Sequence, residues 1–327
     1  MVNVGVIGAG LMGSTHARLL TSAVAGAEVV AISDAVQDSA ATVAEEVGAG
    51  TIHADALELI ADPAVHAVVI ASPVATHEPF ALACIDAGKP VLCEKPLATS
   101  AAAAKRIVDA EVAVARRYLT VGFMRRYDPG YADLKTRLDA GAIGAPLLVH
   151  CAHRNPSVHE FFDSRMIITD TAVHEVDITR WLLGEEIVRA TVLTPAPSGR
   201  ARQGLRDPQL ILFETEHGRI VDVEAFVSAG YAYDIRCEIV GEDGTLELLP
   251  PATVSERRDF TESLPLPRGF QQRFGAAYVN ELQAWVASIQ LGEEPSGPSA
   301  WDGYAAAAVC EAAVASLESG RPVDVDL

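Results

Sequence analysis

A glycine-rich turn near the N-terminus constrains the fold more than any other feature of the sequence. The β-branched run at residues 2–7 leads directly into Gly8-Ala9-Gly10-Leu11-Met12-Gly13, and a helical pattern follows. Between a strand and a helix, glycines at this spacing permit a tight turn and let a pyrophosphate approach the helix N-terminus. The turn therefore predicts a dinucleotide site that includes Gly8, Gly10, Leu11, Met12 and Gly13.

Asp34 follows the next β-branched run and indicates which dinucleotide would bind. An acid at the end of the second strand, about 20 residues beyond such a turn, accepts hydrogen bonds from the adenosine ribose. Its carboxylate would repel a phosphate on that ribose, and no arginine follows it closely. We therefore expect NAD rather than NADP. The alternative is a glycine-rich turn without a ligand and a helix-capping aspartate.

The first third of the chain alternates strand-like and helix-like segments. The predicted strands cover residues 2–7, 28–33, 66–72, 90–93 and 118–122. Such alternation gives parallel strands with helices on both faces of the sheet. We therefore predict a doubly wound parallel sheet in a cofactor domain of residues 1–122.

The pattern changes in a second predicted domain, residues 123–327. Three consecutive strands with short links, typical of antiparallel pairing, are predicted at 209–215, 219–227 and 233–240. Two helices close the chain, and the first has an apolar stripe of Tyr278, Leu282, Trp285 and Ile289. Segments 195–208 and 256–273 are predicted loops. We therefore predict an α/β protein whose second domain is built on a mainly antiparallel sheet.

The hexapeptide VLCEKP at residues 91–96 places a lysine after a predicted strand. Proline disfavours the helical conformation for the preceding residue and suits the first position of a helix, which we expect over 99–117. Lys95 would then lie at the sheet edge where open α/β sheets bind ligands. There its ammonium can donate a hydrogen bond to a reacting oxygen, with Glu94 and Pro96 setting its direction. The simpler alternative is a lysine that extends into solvent.

Asp170 and His174 are four residues apart in a predicted helix that ends at Gly184. On one helical face the carboxylate can orient the imidazole, which gives a general base for removing the proton of a secondary alcohol. The alternative is a helix cap and a structural histidine. The order H-E-x-x-H is missing, so no metal site is predicted. Four further histidines are interpreted as caps or loop residues, with the last nearest the cofactor: His16, His53, His66 and His77.

Composition argues against several other classes of function. The formal net charge of −19 repels nucleic acids and anionic membranes. No apolar run approaches the ~20 residues of a membrane helix, and the N-terminal sequence lacks the pattern of a secretion signal. The five scattered cysteines indicate reduced thiols. We therefore expect a cytoplasmic protein that binds neither nucleic acid nor a membrane.

Several sequence blocks together resemble the glucose-fructose oxidoreductase/inositol dehydrogenase family. They are the glycine-rich turn, the E-K-P element, GFMRRYDPGY at 122–131, CAHRNPSV at 151–158, DTAVHEVD at 170–177, YDIRCEIVGEDG at 233–244 and GPSAWDGY at 297–304. The E-K-P element is common to the family, whereas the later blocks are similar to those of its bacterial inositol dehydrogenases. The resemblance covers nearly the whole chain.

This resemblance implies a Rossmann domain, a second α/β domain on a large open sheet, and a homotetramer assembled through that sheet. It implies NAD-dependent oxidation of myo-inositol to its 2-ketone, with Lys95, Asp170 and His174 as catalytic residues. The residues that match the polyol pocket are Met124, Arg125, His153, Asn155, Thr171 and Tyr233. Those that match the nicotinamide side of the cofactor site are Ser72, Pro73, His77, Glu94 and Lys95.

The sequence is also compatible with other activities. Another inositol isomer, cyclic polyol or aldose could be the substrate within the same family. An NAD-dependent glycosidase would release a sugar without net formation of NADH, and an NAD-responsive regulator would bind the cofactor without oxidising any polyol. The presence of Lys95, Asp170 and His174 in one chain argues against a regulator without catalytic activity.

Overall fold

The fold is described from a computed structural model that covers residues 1–251 and 254–327. The chain divides into two units, and neither is a continuous stretch of sequence. The first consists of Met1–Tyr127 and Ala276–Ala307, and the second of Asp128–Gly275 and Ala308–Leu327.

Short buried strands and helices alternate through the first unit. Its six strands are β1 Val2–Ile7, β2 Ala27–Ser33, β3 Thr51–His53, β4 Ala67–Ile70, β5 Val91–Cys93 and β6 Leu119–Val121. Its first five helices are α1 Leu11–Ser22, α2 Gln37–Val47, α3 Ala56–Ala61, α4 His77–Asp86 and α5 Ala101–Ala113. All strand pairs are parallel in the order β3-β2-β1-β4-β5-β6. The predicted doubly wound sheet is confirmed, and its strand order reverses between β1 and β4, where such sheets bind ligands.

Two details of this unit differ from the sequence-based expectations. Strand β3 was not predicted, because it has only three residues and none of them is buried. Helix α5 begins at Ala101, well after Pro96, because Ser100 caps it by accepting a hydrogen bond from the Ala103 amide.

The stripe predicted near the C-terminus lies in helix α8, Phe270–Leu291, which contains a non-helical residue at Phe274. Beyond that residue, Leu282, Trp285 and Val286 are buried in the hydrophobic core formed with β1, β2 and α1 of the first unit. The core of the first unit therefore includes side chains from the far end of the chain.

The second unit is built on a seven-stranded sheet. Its strands are β7 Pro146–Arg154, β8 Ile187–Leu193, β9 Gln209–Thr215, β10 Ile220–Phe226, β11 Asp234–Gly241, β12 Thr245–Glu247 and β15 Val323–Asp324. They lie in the order β12-β11-β7-β10-β9-β8-β15. Among the strands described, only β7 and β10 pair in parallel, so the prediction of a mainly antiparallel sheet is confirmed. The three predicted strands correspond to β9, β10 and β11.

The remaining elements of this unit are three helices and a hairpin: α6 Pro129–Asp139, α7 Val173–Leu183, α9 Ala300–Ser319, which begins in the first unit, and strands β13 Glu256–Arg258 and β14 Thr261–Ser263. The prediction of a continuous loop over 256–273 is therefore wrong. It missed a hairpin of charged residues with little apolar alternation, and the first turn of α8.

Alternate residues of the central strands have different surroundings. Side chains such as Ile211, Phe213, Val221 and Val223 are buried, and helix α7 packs against β7. Their neighbours in sequence face the other way and are partly accessible. Leu148 of β7, which pairs with Ile220, lies on that same side and is 38% exposed. One sheet face therefore stays open in the single chain. No helix within the described residues is both long and apolar enough to cross a membrane.

Candidate functional site

The glycine-rich turn joins β1 to α1 through close main-chain contacts. Gly8 has a φ of +99°, and a Cβ at Gly13 would lie 1.7 Å from the Gly8 carbonyl oxygen. By contrast, among the residues described, no atom apart from those of the adjoining backbone lies within 4 Å of a Cβ built on Gly10. Helix α1 starts at Leu11, and the first amides of a helix have no acceptor within it. The turn thus combines a tight fold with open space beside unpaired amides, which fits a pyrophosphate.

Asp34 holds this turn through its side chain. Its half-buried carboxylate accepts hydrogen bonds from the Ala9 amide at 2.6 Å and the Val36 amide at 2.7 Å. Each carboxylate oxygen has capacity for a further bond, so these contacts leave acceptors for ribose hydroxyls.

Lys95 follows β5 and is half-buried next to a buried carboxylate, Glu94, which is 7% exposed. Glu94 Oε1 lies 2.7 Å from His16 Nε2, and Glu94 Oε2 accepts the Lys95 amide at 3.2 Å. Burial by itself would raise the pKa of Glu94, but the bond to His16 and the charge of Lys95 outweigh it, so this pKa lies below its ordinary value. The interpretation of His16 as a cap or loop residue is wrong: it is fully buried within α1.

His77 connects the segment after β4 to the turn that contains Lys95. It is buried at the start of α4, with Nε2 2.8 Å from the Ser72 carbonyl oxygen and Nδ1 2.9 Å from that of Pro96. Burial lowers the pKa of His77 despite these two carbonyl groups. A neutral imidazole donates from one nitrogen only, so it bonds one of the two carbonyls at a time. Pro73, exposed, precedes the short 3₁₀ turn Val74–Thr76.

Met124 and Arg125 lie in a 3₁₀ turn, Met124–Tyr127, directly after β6. Both are 1% exposed, so Arg125 is no solvated surface charge. Its neighbour Arg126 forms an ion pair with Asp302 at 2.8 Å. Both predicted residues belong to the first unit.

The second unit gathers His153, His174 and Tyr233. The His153 ring centroid lies 6.2 Å from that of His174 and 5.6 Å from that of Tyr233, which meets it edge-on. His153 Nδ1 is 3.0 Å from Glu175 Oε2, and both side chains are buried. Glu175 was not predicted as a partner of His153. Its position next to His174 in α7, the helix that packs on β7, is what brings them together.

Asp170 and Thr171 occupy a π-helical turn, Ile167–Ala172, that runs directly into α7. Asp170 is half-buried, whereas Thr171 is 3% and His174 7% exposed. The expected regular α-helix through all three is therefore wrong in its first part. Single π-helical turns are rare in proteins, and those that do occur are often found at functional sites.

Asn155 follows β7 and is held by its main chain. Its amide donates to the Phe226 carbonyl at 2.9 Å, and its carbonyl accepts from the Ala229 amide at 3.0 Å. Its side-chain Oδ1 is buried, and within residues 1–251 and 254–327 it has no hydrogen-bond partner. An unsatisfied buried acceptor is costly, so this oxygen is suited to a hydroxyl donated by a ligand.

The chemistry available in each unit follows from these groups. The first unit offers a dinucleotide cradle and an ammonium group at the end of β5. The second offers two imidazoles with neighbouring carboxylates and a buried amide oxygen, which together suit a molecule with several hydroxyls. In the part of the chain that the structure describes, no three His, Cys, Asp or Glu side chains could together hold a metal ion.

Comparison with known proteins covers both units. Residues 2–123 match an oxidoreductase family with an NAD-binding Rossmann fold, and residues 135–325 match the C-terminal alpha/beta domain of that family. Inositol 2-dehydrogenase 1 of Saccharopolyspora erythraea is 54% identical over 100% of this chain and 97% of its own length. Inositol 2-dehydrogenase of Agrobacterium fabrum is 47% identical, with 100% and 97% covered. A crystal structure of myo-inositol dehydrogenase from Lactobacillus casei in complex with NAD(H) and myo-inositol is 38% identical, with a TM-score of 0.96 over 100% and 97% of the two chains.

The two glycines of the turn should respond differently to alanine. Gly13→Ala forces a carbon against the Gly8 carbonyl oxygen, so we expect a lower Tm and lost NAD affinity. Gly10→Ala meets open space at a φ of −73°, so the Tm should be unchanged while the methyl group obstructs the pyrophosphate and weakens NAD binding roughly tenfold or more. Calorimetry measures both quantities; unchanged NAD affinity in Gly10→Ala would contradict the assigned pyrophosphate position.

Proposed function

The chain belongs to the glucose-fructose oxidoreductase/inositol dehydrogenase family of NAD-dependent oxidoreductases, and we propose that it oxidises myo-inositol to the 2-ketone. The observation that carries the substrate assignment is the buried polar cluster of the second unit, in a chain that is similar over its full length to inositol 2-dehydrogenases. Most aldoses carry their hydroxyls in a different arrangement from that of myo-inositol. A cluster that hydrogen-bonds several hydroxyls can therefore discriminate between myo-inositol and an aldose.

The reaction requires two transfers from one secondary alcohol. The hydroxyl proton passes to a base and the hydrogen on the same carbon leaves as hydride, so that the alcohol becomes a ketone. Bound NAD accepts that hydride and becomes NADH. The chain itself must hold the cofactor, orient the polyol and supply the base. For the first task we propose Gly8, Gly10, Leu11, Met12, Gly13, Asp34, Ser72, Pro73, His77, Glu94 and Lys95.

His174 is the proposed base, with Asp170 orienting its ring. In support, His174 is buried in the first turn of a helix and its ring stands beside that of His153. Buried surroundings strengthen electrostatic interactions with a neighbouring carboxylate. Lys95 is the proposed donor to the substrate oxygen, where its ammonium stabilises the negative charge that develops as the proton leaves.

The remaining residues are proposed to bind the other hydroxyls: Met124, Arg125, His153, Asn155, Thr171 and Tyr233. Asn155 carries this part of the proposal, because its buried Oδ1 lacks a partner in the described part of the chain. A hydroxyl donated to that oxygen would satisfy it, and a substrate lacking that hydroxyl would leave it unpaired at a cost of ~1–3 kcal/mol.

We also propose that the protein is a cytoplasmic homotetramer assembled through the open face of the seven-stranded sheet. That face combines accessible apolar side chains with charged ones such as Asp222, whose carboxylate bonds His150 on the neighbouring strand. An accessible face of this kind on a central sheet is characteristic of an interface between subunits.

A screen for NADH formation tests the substrate assignment. The unmodified protein is mixed with NAD and each of a panel of inositol isomers and aldoses, and absorbance of NADH is followed. We expect myo-inositol to give the highest kcat/KM, with Asn155→Leu lowering it roughly tenfold or more because a bonded hydroxyl loses its partner. Brisk oxidation of an aldose together with failure of myo-inositol would refute the substrate and leave the reaction class standing.

A double-mutant cycle tests the roles of His174 and Lys95. His174→Ala should lower kcat by the ~10²–10⁴ typical of general bases, with NAD affinity nearly unchanged. Lys95→Ala should also lower kcat, and the double variant should lose less than the two separate losses combined, because both groups serve one transition state. The exposed residue His217 provides the control, and His217→Ala should have wild-type kcat. If the kcat losses of the two single variants were strictly additive in free energy in the double variant, the base would be another residue.

Light scattering after gel filtration tests the assembly. Leu148→Arg places a charge on the open sheet face and should split the tetramer into smaller species. Leu291→Arg, at an exposed position of α8, is the matched control and should leave the mass unchanged. A monomeric unmodified protein would rule out the proposed assembly.

A further inference from the structure

We propose that His16 and Glu94 form a buried positioning pair that fixes the direction of Lys95. The proposal deepens the function proposed above and rests on it. Neither member is expected to touch the substrate; the pair acts through the main chain of the lysine.

The pair connects the cofactor helix to the lysine through one carboxylate. His16 lies in α1, the helix that the glycine-rich turn starts, and is 0% exposed. Its Nε2 is 2.7 Å from Glu94 Oε1, while the other carboxylate oxygen accepts the Lys95 amide at 3.2 Å. Because both oxygens are engaged, rotation of the carboxylate would break one of the two contacts.

The surroundings leave this carboxylate little space. Glu94 is fixed at its main chain, whose amide donates to the Ile70 carbonyl at 2.9 Å. At Gly122 even a Cβ atom would come within 3.2 Å of Glu94 Oε2. On the other side, the ring of Tyr278 meets the His16 ring edge-on, with centroids 5.9 Å apart. The pair is therefore enclosed on several sides, and the Lys95 amide that it holds is fixed with it.

Stability alone does not account for such a pair. Moving charged or strongly polar groups out of water is costly, and apolar residues of similar volume often replace a buried ion pair without loss of stability. What apolar residues cannot do is hold an amide in one direction. The position of the Lys95 amide sets where its side chain begins, and misplacement of a catalytic group by about 1 Å can cost roughly 10²-fold in rate.

The first unit contains a second histidine–carboxylate pair that serves as a control. His53 Nε2 lies 3.1 Å from Asp62 Oδ2, and the two side chains are 15% and 21% exposed. Asp62 also accepts a main-chain amide, that of Ala64, so the chemistry of the pair is similar. Its amide partner, however, has no proposed role in the reaction.

Paired substitutions separate a positioning role from a structural one. His16→Leu alone removes the imidazole partner of the buried Glu94 carboxylate and should lower both Tm and kcat. Adding Glu94→Met to it gives an apolar pair, so we expect Tm to recover while kcat stays about 10- to 100-fold below the wild-type value. Recovery of kcat together with Tm would overturn the proposal. His53→Leu should leave kcat unchanged.

A single isosteric change gives the same answer if the double variant does not fold. Glu94→Gln keeps an oxygen for either contact but removes the charge, so it should lower kcat about tenfold or more with the KM for the polyol changed far less. A wild-type kcat in this variant overturns the proposal.

The substrate assignment and the positioning role of the His16–Glu94 pair can be refuted independently of each other. All rates are measured with whichever polyol the unmodified protein oxidises fastest, so a wrong substrate appears as activity with another compound. A protein that oxidises no polyol would refute the proposed function alone. In that case the pair is tested by reductive methylation of Lys95 with formaldehyde and a borane reductant, followed by peptide mass spectrometry. Glu94→Gln should accelerate it, and an unchanged rate would overturn the proposal.

Discussion

The contact between Gly13 and the Gly8 carbonyl oxygen determines how closely helix α1 packs on the parallel sheet. Only glycine fits at position 13, because the Cβ of any other residue type would overlap the Gly8 carbonyl oxygen. Gly13, His16, Ala17 and Leu20 are all buried on the inner face of α1. The short distance between helix and sheet that Gly13 permits also brings His16, three residues later, within 2.7 Å of Glu94 at the end of β5. One glycine thus serves the cofactor turn and the lysine turn together.

The second unit assembles its polar groups in a different way. Here a π-helical turn and helix α7 pack against a sheet, and the buried side chains of His153 and Glu175 pair across that layer. Buried polar groups are costly unless they are paired, and this cost limits the arrangements that they can adopt. Asn155 differs from that pair, since its main chain is bonded and its side-chain Oδ1 is not, within the residues described. A rigid residue with one open acceptor is better suited to a ligand than to the core.

Sequence patterns predicted the structural features that depend on residues close together along the chain. The strands of the first sheet, the glycine-rich turn, the stripe of α8 and strands β9 to β11 each have a local period or spacing, and each is present in the structure. Strand β7 was missed because it contains exposed and polar residues, and it pairs with β10, which lies far along the chain. The pairs His16–Glu94 and His153–Glu175 were also missed, because they join residues 78 and 22 positions apart. Single-sequence patterns carry no information on such distances, whereas the resemblance to a family predicted His153 as a site residue without its partner.

The contribution of α8 to the first core affects the order in which the protein can fold during synthesis. Ribosomes release the N-terminal part first, and domains generally fold as they emerge. Here residues 1–127 emerge without Leu282, Trp285 and Val286, which complete their core. A nascent chain therefore carries apolar surface of the cofactor unit until nearly 290 residues have been made. The first unit, though first in sequence, cannot finish folding before α8 has emerged, and a fragment ending at its last parallel strand would leave that surface permanently in contact with water.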